Sequence, residues 1–101
     1  MNTILARFRI VTGKEADAEG AMKKMAASVQ AGEPGAITYI FHRGRRDPAQ
    51  VTVFEIYQDD DASKAHSETE YMGTFRTYFG PLFDPDSVKV ERLERIAGFS
   101  R

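Results

Sequence analysis

The sequence predicts an α+β fold in which an antiparallel sheet carries its helices on one face. Two observations lead there. Strand-like alternation of apolar residues occurs in four stretches, and three-and-four apolar spacing fills the intervals after the first and third of them. Glycine, proline and aspartate clusters separate these pieces.

The first strand is read over Thr3–Val11, with Ile4, Ala6, Phe8 and Ile10 on one face and Leu5, Arg7, Arg9 and Val11 on the other. Thr12-Gly13 breaks it. Lys14–Ala31 shifts to helical spacing, with Ala18, Met22, Met25, Ala26 and Val29 as an apolar stripe. Gly20 inside that helix costs about 1 kcal/mol relative to alanine. Gly32-Glu33-Pro34-Gly35 is a helix stop. Ala36–Arg43 and Val51–Tyr57 are read as strands joined by the polar turn Gly44–Gln50. Asp59, Asp60 and Asp61 then supply carboxylates suited to the positive end of a helix. That helix runs over Ala62–Glu68 and carries Ala62, Ala65, His66 and Thr69 on one side. A second helical piece, Glu70–Phe79, carries Met72, Phe75 and Phe79 at three-and-four spacing, with Leu82 continuing the stripe beyond its end. Gly80-Pro81 ends it, Asp84-Pro85-Asp86 is read as a turn, and Ser87–Ile96 is the last strand. The order is βαββαβ, the ferredoxin-like arrangement.

The length of 101 residues fits one domain spanning 1–101. The absence of cysteine excludes disulfides, thiolate metal sites and cysteine nucleophiles. A hydrophobic content of 42% is too high for a disordered chain. Fourteen basic against fifteen acidic residues leave a net charge of −1, so no overall field draws the protein to nucleic acid or to a membrane. No apolar run reaches the roughly 20 residues of a membrane span, and the N-terminus lacks signal-peptide character. The expected location is the cytoplasm. Leu5, Val11, Tyr39, Phe41, Phe54 and Ile56 put apolar groups on both faces of the sheet, so one face needs a cover. A second copy of the chain, making a homodimer, is the expected cover.

Several motifs occur in a characteristic order: Ala6-Arg7-Phe8-Arg9-Ile10 followed by Gly13-Lys14-Glu15; Gly35-Ala36-Ile37-Thr38-Tyr39; Val53-Phe54-Glu55-Ile56-Tyr57-Gln58-Asp59; then Ala62, Ala65-His66 and the aromatic helix with Phe75. Together they resemble the antibiotic biosynthesis monooxygenase-type domain over nearly the whole chain. The resemblance implies a dimeric α+β barrel with a small pocket between sheet and helices. It also implies cofactor-independent oxidation of a small phenolic, quinol or polycyclic aromatic molecule. The absence of tryptophan sets the sequence apart from haem-degrading relatives.

His66 is the leading candidate for proton transfer, because imidazole titrates near neutrality. Glu55, an isolated carboxylate in an apolar strand, is expected to be its partner, since an unpaired charge there is costly. Tyr39, Tyr57, Tyr71, Phe75 and Tyr78 are expected to line the substrate pocket. Five of the eleven aromatic residues fall between Tyr71 and Phe83. The two histidines lack metal-ligand spacing, so no metal is expected, and the resemblance implies a reaction without a cofactor. Two other functions use the same pocket: capture of a small apolar molecule without turnover, and isomerisation through the same histidine.

Overall fold

A computed structural model describes residues 1–101. The strands are β1 (Asn2–Ile10), β2 (Ala36–Arg43), β3 (Gln50–Tyr57) and β4 (Phe83–Leu93); the helices are α1 (Glu15–Gly32), α2 (Asp60–Ser67) and α3 (Glu70–Phe79). A 3₁₀ turn, Gly80–Leu82, joins α3 to β4. The four strands form one antiparallel sheet in the order β2-β3-β1-β4, the ferredoxin-like topology. No helix is long and apolar enough to cross a membrane.

The alternation read from the sequence decides which face meets the helices. Ile4 pairs with Glu55, Ala6 with Val53 and Phe8 with Val51, so these six side chains share one face of the sheet. Ile10, Val51 and Val53 from that face join Ala18 and Ala21 of α1 and Phe79 and Leu82 in the core. Phe79 stacks on Phe75 at 4.7 Å and on Phe83 at 5.3 Å, while Phe8 meets it edge-on at 5.5 Å. The aromatic run from Tyr71 to Phe83 therefore divides. Phe79 fastens α3 to the sheet, and the tyrosines lie off that cluster.

Two caps agree with the polar residues that precede α2 and α3. The Asp59 carboxylate accepts the Ala62 N–H at the start of α2, and the Thr69 hydroxyl accepts the Met72 N–H at the start of α3.

The last strand departs from the sequence reading. It begins at Phe83, and the expected Asp84-Pro85-Asp86 turn lies inside it. The turn chemistry is present, but as a bulge: the register against β1 shifts between Arg7 and Arg9. There, Asp86 N–H donates to Asp84 Oδ1, the Ser87 hydroxyl donates to the Asp84 carbonyl, and Arg9 N–H donates to Ser87 Oγ. Because β4 is an edge strand, Pro85 removes no interior ladder bond.

The face opposite the helices carries Leu5, Phe54 and Ile56 on the central strands, with Ile40 and Leu93 on the edge strands. Ile56 is buried there, whereas Ile40 is 48% and Leu93 40% exposed.

Candidate functional site

A cluster of buried and half-buried polar groups lies where the C-terminus of α1, the helix α2 and the helix-side face of β2 and β3 meet. His66 lies on the sheet-facing side of α2 and is the one buried polar residue of that helix. Its ring packs against two tyrosines of the sheet, 5.2 Å from the Tyr39 ring and 5.6 Å from the Tyr57 ring.

The carboxylate that holds His66 is Glu33. Its two oxygens lie 3.0 Å from His66 Nδ1, and both side chains are more than 90% buried. The Tyr71 hydroxyl of α3 donates to the same carboxylate. Glu33 thus joins three elements: it caps the C-terminus of α1, receives α2 through His66 and receives α3 through Tyr71.

The expected pairing of His66 with Glu55 is therefore corrected. Glu55 points to the same side of the sheet, but its acceptor site is filled by the Tyr57 hydroxyl two residues along the strand, at 2.6 Å. Strand periodicity causes this, because residues two apart share a face. Glu55 remains close enough to feel the imidazole electrostatically.

Glu33 was not among the residues singled out from the sequence. Its segment reads as a helix stop, which it is. One signal in the sequence was available: a carboxylate at a helix C-terminus meets the negative end of the helix dipole, an unfavourable placement that calls for a compensating partner.

Burial is the first cause of the shifts at Glu55, Tyr39, Tyr57 and Tyr71. Burial raises the Glu55 carboxyl above the ordinary carboxylate range, partly opposed by the Tyr57 hydrogen bond and the nearby imidazole. Burial raises Tyr39 and Tyr57 well above the usual phenol range, and the neighbouring carboxylates add to this. Tyr71 is pushed up to about 12, by burial first and then by its bond to Glu33. These three tyrosines thus stay protonated at neutral pH and act as hydrogen-bond donors.

The raised Glu55 carboxyl has a consequence for stability. Its ordinary value is 4.5, and the folded protein holds that proton more tightly than the unfolded chain does. The stabilisation is complete below pH 4.5 and is lost as pH rises through the folded value. Glu55→Gln, which cannot ionise, is expected to flatten the fall in melting temperature between pH 4.5 and neutrality. Thermal melts across that range check this, and identical slopes in parent and variant contradict it.

Two cavities flank the cluster. The larger, about 800 Å³, is a groove between α1 and α3. Met25, Ala21 and Phe75 supply its apolar surface, and Tyr71, Tyr78, Lys24 and Glu70 are among its polar lining. Gly20 and Gly73 have open space where a Cβ would stand, so Gly20 leaves the groove unobstructed despite its cost to the helix. The smaller cavity, about 460 Å³, lies between α1 and β2 and is lined by Tyr39 and Phe41.

The structure therefore distributes the sequence candidates. Tyr71, Phe75 and Tyr78 line the larger groove, Tyr39 lines the smaller cleft, and His66, Glu55 and Tyr57 line neither. The imidazole is connected to the groove through Glu33 and Tyr71 rather than being part of its wall. No group of three or more metal-ligating side chains is assembled.

Known structures share this architecture. A candidate antibiotic biosynthesis monooxygenase from Caulobacter crescentus CB15 is 27% identical, with a TM-score of 0.88 over 95% of this chain and 90% of that one. The Pseudomonas aeruginosa protein PA3566 is 26% identical, with a TM-score of 0.85 over 95% of this chain and 94% of that one. A Bacteroides thetaiotaomicron VPI-5482 protein, 20% identical, shares the fold with a TM-score of 0.89 over 99% of this chain and 94% of that one. No curated protein matches the sequence significantly. The antibiotic biosynthesis monooxygenase family profile matches residues 1–78, which include β1 through α2, His66 and most of α3, and the chain belongs to that family.

Proposed function

We propose that the protein is a cofactor-independent monooxygenase acting on a small phenolic, quinol or polycyclic aromatic molecule. The observation that carries this reading is the hydrogen-bonded chain Tyr71–Glu33–His66, which begins in the wall of an aromatic-lined groove and ends on a buried imidazole. Family membership supports the monooxygenase class, and the substrate class rests on the groove.

A flat aromatic molecule fits between Phe75, Tyr78 and Met25. Its phenolic hydroxyl donates to the Tyr71 oxygen while the Tyr71 proton passes to Glu33, and His66 shares that proton. The phenolate left behind is electron-rich enough to react with oxygen directly. The ring carbon para to the phenolate oxygen, which carries one hydrogen, bonds to O2, and the peroxide takes back the proton held by Glu33. Its O–O bond then breaks as that carbon loses its hydrogen, leaving a carbonyl there, a carbonyl at the former phenolate and one water. The electrons come from the substrate, so this reaction needs no separate reductant. The chain's own task is to hold the substrate, accept the proton and keep the anion out of bulk water. Glu55, Tyr57 and Tyr39 form the buried surround of His66 and set its polarity. A second copy of the chain over Leu5, Phe54, Ile40 and Leu93 would complete the fold as a homodimer.

Binding without turnover is the second reading. It is favoured by one observation: His66 itself lines neither cavity. Oxygen-electrode measurements with hydroxylated anthracenone and quinol compounds separate the two. The oxidative reading predicts protein-dependent uptake of one O2 per substrate molecule converted. Saturable binding without any uptake across the panel favours the binding module and contradicts the oxidative reading.

A further inference from the structure

The smaller cleft is built differently from the groove, and its chemistry points to a ligand of its own. Its apolar surface includes Tyr39 and Phe41 of β2 and Met22 of α1. The two aromatic rings meet edge-on at 5.3 Å, so they present two flat faces nearly at right angles. Lys23 of α1 and Arg43 at the end of β2 also line the cleft. Glu19, one helical turn before Lys23, is bound by both: Arg43 Nη2 donates to its carboxylate at 2.5 Å, and Lys23 Nζ lies 3.6 Å away.

Two cations thus share one carboxylate, and the cleft keeps an excess positive charge in a chain whose net charge is −1. Arg45 and Arg46 follow on the adjoining loop without an ion-pair partner, adding positive potential at this end of the hairpin. All three groups of the ion triad are substantially exposed, so the triad is exchangeable rather than locked. The Glu19 carboxylate occupies the position that a ligand carboxylate would take, with Arg43 as a planar fork able to hold it through two bonds.

We propose that this cleft is a second ligand site, and that it takes an aromatic carboxylate. The ring lies on Tyr39 and Phe41, and the carboxylate displaces Glu19 from Arg43 and Lys23. The site is independent of the oxidative reading: it uses neither His66 nor the α1–α3 groove, and it stands whether or not the protein turns over a substrate. Its occupancy is felt at the polar cluster, because the Tyr39 ring that floors the cleft also packs on His66.

The test uses 2-naphthoate as the probe and 2-naphthylmethanol as its neutral counterpart, followed by ligand fluorescence and by backbone amide shifts of the full chain. The carboxylate is expected to bind more tightly than the alcohol, with shifts centred on residues 39–43 and at His66. Arg43→Gln should weaken naphthoate by about three- to fivefold, the scale of a half-exposed ion pair. Glu19→Gln should strengthen it by a similar factor, since the variant removes the internal competitor. A cleft that merely accepts apolar rings would not show that gain. The proposal is overturned if naphthoate does not bind at millimolar concentration, if the two probes bind alike, if Glu19→Gln leaves affinity unchanged or lowers it, or if the shifts fall on residues 71–78 of the other groove.

Discussion

Replacing Glu33 with alanine should lower the melting temperature by roughly 15 °C. The carboxylate is buried, and two buried or half-buried partners, the His66 imidazole and the Tyr71 hydroxyl, lose their common acceptor at once. Each buried group left without its hydrogen-bond partner costs about 1–3 kcal/mol, and two are left here at once. For a chain of this size each kcal/mol shifts the midpoint by about 4–8 °C. Glu33→Gln keeps the volume and one oxygen acceptor for Tyr71, so its loss should be about half as large. Circular-dichroism melts of the two variants check the ordering. A shift of under about 3 °C for alanine would mean that the contact contributes little to holding α1, α2 and α3 together.

The second large effect is on rate. His66→Gln removes the proton acceptor at the end of the chain while preserving its volume and a polar tip. If the oxidative reading holds, kcat for the phenolic substrate should fall by about 10²- to 10⁴-fold, the usual contribution of a positioned acid–base group. The dissociation constant should stay close to that of the parent, because His66 does not line the groove. Single-turnover oxygen uptake at saturating substrate, alongside direct binding, separates the two quantities. Equal loss of affinity and rate would instead place the imidazole in the binding surface.

How the residues signalled these features differs from element to element. The sheet and its inner face were legible in β1, where Ala6, Phe8 and Ile10 alternate with Arg7 and Arg9, and alternation is what a half-buried strand requires. β2 begins and ends where Gly35 and Gly44 indicate, and α3 ends where Gly80-Pro81 indicates. The start of β4 was not legible, since Asp84-Pro85-Asp86 makes the same local hydrogen bonds in a bulge as in a turn, and the distinction lies in the pairing with Arg9.

The site was half legible for a related reason. His66 and the tyrosines stand out by residue type and helical spacing, which are local properties. Its acid partner does not, because Glu33 and His66 are 33 residues apart and meet only when α1 and α2 close over the sheet. Glu55 was the plausible partner by local reasoning, being an isolated carboxylate in an apolar strand. What sequence spacing underweighted was its own neighbour, since Tyr57 lies two positions along and satisfies it first. The division of the aromatic helix is similar: period alone places Phe75 and Phe79 on one stripe, yet Phe79 is core and Phe75 reaches the groove wall.

The claim on which the functional account turns is that Glu33 and His66 work as one proton-transfer unit. A double-mutant cycle on the oxygen-uptake rate constant tests this most directly, using Glu33→Gln, His66→Gln and the pair. A unit is lost once, so the double variant is expected to be no slower than His66→Gln alone. Losses that multiply across the two substitutions would show two independent groups and contradict the account.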